Sequence, residues 1–190
     1  VYLVGVALVS WAGTYWLLRN GYSMNSGGLV PMLVLGTLSV ACVAGAGSRS
    51  PFAEAERTVA RSLPLLRLGH LSGLTLGAAL LLILALLAFD LEGVYPADPL
   101  LMLLRNLAML AGLAFLAARL LGAGLSWTLP LVYAAAALMG SSIGDDAAWW
   151  ALPLRSGTDW PYLAIAFALL AAGFGLVCHY GARDSAGEQG

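Results

Sequence analysis

The chain has 190 residues, of which 61 % are hydrophobic and 10 % charged, and its formal net charge is −1. So little charge excludes an ordinary soluble domain, in which about a quarter of the residues are charged. The near-neutral balance excludes a broad nucleic-acid-binding surface, and no polar run is long enough to house a soluble catalytic or nucleotide-binding domain.

Six apolar stretches are long enough to cross a bilayer about 30 Å thick at about 1.5 Å of helical rise per residue. They cover residues 1–18, 29–47, 68–89, 100–118, 125–143 and 162–180. Each is dense in Leu and Ala, without the two-residue alternation of a barrel strand. The expected fold class is therefore all-α, a polytopic membrane protein with six transmembrane helices. Residues 1–181 form a single domain and residues 182–190 a short, loose tail.

Span 1 opens at residue 1 without a basic leader and reads as a retained membrane helix rather than a signal peptide. After span 2 comes "RSPFAEAERTVARSLPLLRLGH", the most charged connection in the chain. Ser50 suits an N-cap and Pro51 the first helical position. Phe52, Ala55, Val59 and Leu63 recur at helical spacing, while Glu54, Arg57 and Arg61 line another face. Pro64 is expected to end or bend that helix before span 3. Two readings fit this amphipathic helix: an interfacial element resting on lipid headgroups, or a docking element that transmits motion from a soluble partner.

All nine basic residues are Arg. Arg49, Arg57, Arg61, Arg67, Arg119 and Arg183 flank one set of span ends, and Arg19 and Arg155 the other. The excess of positive charge places the 50–70 connection and both termini in the cytoplasm. Span 3 carries Gly69, Gly73 and Gly77 at the spacing that lets helix backbones approach closely. In span 4, Arg105 and Asn106 are the strongly polar pair within an apolar run. Arg105 lies about 7 to 8 Å below the outer end, so it can snorkel outward or pair with Asp98 or Asp90; alternatively it lines a subunit interface or translocation path.

The connection between spans 5 and 6, "SSIGDDAAWWALPLRSGTDWPY", puts Trp149, Trp150 and Trp160 at headgroup depth. It reads either as an aromatic belt on an ordinary loop or as two short re-entrant helices punctuated by Pro153 and Gly157. In span 6, Gly173 and Gly175 are again packing candidates. Cys42, Cys178, His70 and His179 form neither a disulfide framework nor a zinc signature. Asp145 and Asp146 are adjacent rather than opposed, so no acid/base pair emerges, and no Ser/His/acid set is recognisable at one depth.

The stretches "RSPFAEAERTVARSLPLLRLGHL", "LLRNLAMLAGLAFLAARLLGAGLSW" and "LPLVYAAAALMG" resemble the small six-helix permease subunits of bacterial ABC-2-type exporters, especially short actinobacterial ones. The resemblance implies a bacterial inner-membrane location and a coupling helix at Phe52–Leu63, seated in a cytoplasmic ABC ATPase subunit, with Glu54, Arg57 and Arg61 facing it. It also implies an extracellular gate at Trp149, Trp150 and Trp160, and pairing with a second copy or a similar permease. Family members often carry a cytoplasmic helix before the first span, which this sequence does not show.

With no "GxxxxGK[ST]" loop and no Lys, these residues cannot bind ATP as a P-loop does. No cofactor or metal is expected on the chain, which is not an enzyme by itself; ATP would act through the partner. The leading expectation is an exporter permease for a hydrophobic or amphiphilic substrate. The alternative is a non-transport membrane scaffold or anchor of a larger complex.

Overall fold

The computed structural model describes residues 26–48, 63–88, 99–140, 147–155 and 160–181. They form five α-helices: α1 (Ser26–Ala46), α2 (Leu63–Ala88), α3 (Pro99–Leu120), α4 (Thr128–Gly140) and α5 (Trp160–Tyr180). Short 3₁₀ turns at Ala123–Leu125 and Leu152–Leu154 complete them. No strand occurs among the described residues, as the unbroken Leu/Ala runs imply. α1 to α5 correspond to spans 2 to 6; span 1 lies outside the described residues.

In four of the five described helices a proline lies within the first three described residues, at Pro64, Pro99, Pro130 and Pro161. A first-turn N–H has no partner within the helix, so the ring costs nothing there and its fixed φ favours the helical start. α2 includes Leu63 and Pro64, upstream of the expected start of span 3 at residue 68, and whether Pro64 ends or bends a helix before it falls outside the described residues. Leu63, expected to close the amphipathic helix, is the first residue of α2. Phe52, Glu54, Arg57, Val59 and Arg61 lie outside the described residues.

Among the described residues, four segments are long and apolar enough to cross a membrane: Leu65–Leu84, Leu100–Leu120, Ala123–Gly140 and Trp160–Tyr180. Hydroxyls within the helices bond back to the preceding turn, as Thr37 Oγ1 does to the Leu33 carbonyl (2.8 Å) and Thr75 Oγ1 to that of Leu71 (2.8 Å). Such bonding lets an apolar helix carry a hydroxyl without leaving its donor unsatisfied.

Successive helices run in opposite directions. At one end, here the Gly47 end, His70 Nε2 lies 2.9 Å from the Gly47 carbonyl and Arg119 sits over the Tyr180 ring. At the other, the Trp150 end, Tyr133 and Arg105 meet residues 150 and 155.

α3 is the axis of the bundle. Its membrane-length segment is 72 % buried inside the protein, against 11 % for that of α2. Met102, Leu103, Leu107, Met109, Leu110 and Phe115 of α3 are all buried. It crosses α5 at two glycines: a Cβ on Gly112 would fall 2.6 Å from backbone atoms of Leu169 and Leu170, and one on Gly173 would fall 2.5 Å from the Gly112 carbonyl oxygen. Phe115 and Phe174 meet edge to face beside this crossing, with ring centroids 6.1 Å apart. α2 is peripheral, with Leu65, Leu76, Leu80, Leu84 and Leu87 exposed along it. In water such a continuous apolar face would be a liability, whereas against lipid it is the expected exterior.

Candidate functional site: a buried arginine that holds the 147–155 segment

The chain between α4 and α5 turns back into the bundle. Residues 147–155 form a tight succession of turns, closed by the Ala151 N–H on the Ala148 carbonyl (2.9 Å) and the Leu154 N–H on that of Ala151 (3.0 Å). Ala147, Ala151, Leu152 and Leu154 are buried in the main core with Met102, Met109 and Ala137. "AAWWALPL" folds inward because its small and aliphatic residues match that core, while its turns bring their own backbone groups together.

Turns alone leave carbonyls unpaired, and an unpaired carbonyl in an apolar interior is costly. Donors from the spans meet them. The Tyr133 hydroxyl of α4 donates to the Trp150 carbonyl at 2.6 Å. Asn106 Nδ2 of α3 donates to the Pro153 carbonyl at 3.1 Å, and Arg105 Nη2 to the Arg155 carbonyl at 2.7 Å. Within the segment, Arg155 Nη1 donates to the Ala147 carbonyl at 3.2 Å, and its guanidinium lies 4.6 Å from the Tyr162 ring centroid.

The tether sits at depth. Arg105 is six residues into α3 and Tyr133 seven residues from the last residue of α4, which is about 9 to 10 Å of helical rise in each case. Arg105 is 1 % exposed and Asn106 fully buried. The guanidinium is thus held on protein backbone, at the Arg155 carbonyl, and not in solvent. Asp90 and Asp98 lie outside the described residues.

The structure separates the three tryptophans. Trp150 is partly buried, its ring is the nearest neighbour of Gly140, and its carbonyl is held by Tyr133. Trp149 and Trp160 are 76 % and 81 % exposed, which leaves their indoles available to an interface. Sequence reasoning missed Tyr133, which looks like one more aromatic in an apolar run; a lone phenol amid alanines, needing a partner for its hydroxyl, was the available signal. Among the described residues, no group of three or more His, Cys, Asp or Glu could hold a metal ion.

Chemically the cluster is a clasp. Two side chains of α3 and one of α4 hold three carbonyls of a single short segment. Comparison with protein-family models, with curated proteins and with solved structures finds no match to this chain, and the role of the clasp is read from its own geometry.

Proposed function

We propose that the chain is a membrane-spanning permease subunit of an ATP-driven exporter. In this reading the 147–155 segment closes the outer end of the translocation path, and Arg105, Asn106 and Tyr133 hold it shut. The observation that carries the reading is the clasp: a charged side chain inside an apolar bundle is expensive and commonly serves a path or a moving part. Here Arg105 holds one backbone carbonyl of the segment while Asn106 and Tyr133 hold two more, and these hydrogen bonds can break and re-form as the segment leaves and re-enters the bundle.

Orientation follows the arginines, so the Trp150 end is extracellular and the Gly47 end cytoplasmic. The amphipathic helix from Phe52 to Leu63 docks on a separate ATPase, with Glu54, Arg57 and Arg61 toward the partner. Because it is continuous in sequence with α2, ATPase movement reaches the bundle through that helix. Two such subunits pair, and a hydrophobic or amphiphilic substrate passes between them.

The test is purification of the tagged protein in mild detergent from its native host, with partners identified by mass spectrometry and ATP hydrolysis assayed. The expected result is a stoichiometric ATPase that is lost when Arg57→Glu and Arg61→Glu are combined, with the variant still inserted in the membrane. Recovery of envelope proteins without hydrolysis would instead favour the scaffold.

A further inference from the structure

At the Trp150 end Arg105, Asn106 and Tyr133 each find an acceptor; at the Gly47 end one buried donor does not. Ser126, in the connection between α3 and α4, is fully buried, and its Oγ has no hydrogen-bond partner among the described residues. A hydroxyl shut away without a partner carries its full desolvation cost, so its position calls for a reason.

Neighbouring hydroxyls make the bond that Ser126 forgoes. Thr128 Oγ1 donates to the Leu125 carbonyl at 2.7 Å and Ser48 Oγ to the Gly45 carbonyl at 2.6 Å, each three residues back. Ser126 has helical φ and ψ, −59° and −25°, and its own N–H meets the carbonyl three residues back, that of Ala123, at 3.4 Å. Its hydroxyl is packed on α1 instead. A Cβ on Gly45 would lie 3.1 Å from both Cβ and Oγ of Ser126, and 2.8 Å from the Cβ of Ala114 on α3. The Gly45 carbonyl is already taken by the N–H and Oγ of Ser48. Three small residues from α1, α3 and the 121–127 connection thus close on one another, with the hydroxyl caught between them.

The two sides of this contact are unequally held. Ala114 belongs to α3, the axis of the bundle. The end of α1 is fastened to α2, where His70 Nε2 lies 2.9 Å from the Gly47 carbonyl and Leu74 Cδ1 would lie 3.1 Å from a Cβ on Gly47. Because α2 is the peripheral helix, α1 can withdraw with it from the 121–127 connection. That movement frees the Ser126 hydroxyl to take the Ala123 carbonyl or water.

We propose that the contact of Gly45 with Ser126 and Ala114 is the joint at which the Gly47 end of the bundle opens, and that the buried Ser126 hydroxyl, which gains a partner on opening, biases the joint toward the open state. The device belongs to the helix packing alone and stands whether the chain is a permease or a scaffold.

The test is hydrogen–deuterium exchange of the full chain in mild detergent, read by mass spectrometry at residues 43–48 and 121–127, on the two sides of the joint, with 147–155 as the reference. Ser126→Ala keeps the packing and removes the isolated hydroxyl. Exchange at the joint should then slow about tenfold, the scale of one unpartnered buried hydroxyl, while 147–155 stays unchanged. Gly45→Ala should act in the opposite direction, since its Cβ falls against that of Ala114 and wedges the joint apart.

A folded Ser126→Ala protein that exchanges at the joint as fast as wild type or faster would overturn the proposal. Slowing of equal size at 147–155 would overturn it as well, because the effect would then be a general tightening of the bundle. Failure of Ser126→Ala to fold would mean that the hydroxyl is bonded in the native state, and the proposal would fall. Should Gly45→Ala not fold, the sign and the place of the Ser126→Ala effect still decide.

Discussion

α2 and α3 differ little in length and composition, yet one is the periphery of the bundle and the other its axis. Both carry glycine. In α3, Gly112 touches the backbone of α5, whereas Gly69, Gly73 and Gly77 of α2 have nothing within 4 Å among the described residues. The evenly spaced stripe is thus the uncontacted one, and the tight crossing rests on glycines with no such spacing. Lipid tails are as apolar as leucine, so apolar pattern alone does not separate a helix facing lipid from one facing protein. What separates them is where backbones must approach and where polar side chains find partners.

Substitution should widen this contrast. Gly112→Leu forces a side chain into the backbone of Leu169 and Leu170, where no rotamer can relieve the clash. We expect a loss of about 3 kcal/mol or more, the upper range of overpacking, seen as a collapse of the thermal midpoint in detergent. Gly73→Leu, made on the open face of α2, should change stability by less than about 0.5 kcal/mol. A comparable drop at both positions would mean that α2 is covered as α3 is.

The clasp gives the next largest effect. Arg105→Met leaves the Arg155 carbonyl without this donor, at a cost of about 1 to 3 kcal/mol, which falls on the docking of 147–155 more than on the helices. Its measurement is maleimide labelling of Ala151→Cys in a protein lacking Cys42 and Cys178. Labelling should be slow while the segment is seated and markedly faster in the Arg105→Met background. Tyr133→Phe removes one hydroxyl and keeps the ring, so labelling should rise less, in line with about 1 kcal/mol. If Tyr133→Phe accelerates labelling more than Arg105→Met, the arginine is not the principal tether.

The sequence offers six apolar spans because a bilayer demands about 20 residues of unbroken hydropathy per span; spans 2 to 6 recur as α1 to α5 with shifts of a few residues at their ends, and span 1 lies outside the described residues. Arg105 and Asn106 stand out in the sequence because polar groups in a span need partners. Their partners do not, because the acceptors at 153 and 155 are backbone carbonyls, which leave no mark in the residue letters. Gly173 was legible as a packing site and Gly112 was not; the first gains meaning only from the second, 61 positions earlier.

Holding carbonyls has a consequence for inheritance. To these three hydrogen bonds the spans contribute particular side chains, whereas 150–155 contributes main-chain carbonyls. Mutations that change the letters of that segment but preserve its turns leave the clasp intact, while Arg105, Asn106 and Tyr133 have few substitutes. Across descendants of this gene, the three donors should stay fixed while the carbonyl-bearing positions drift, so that the held segment becomes the harder one to trace.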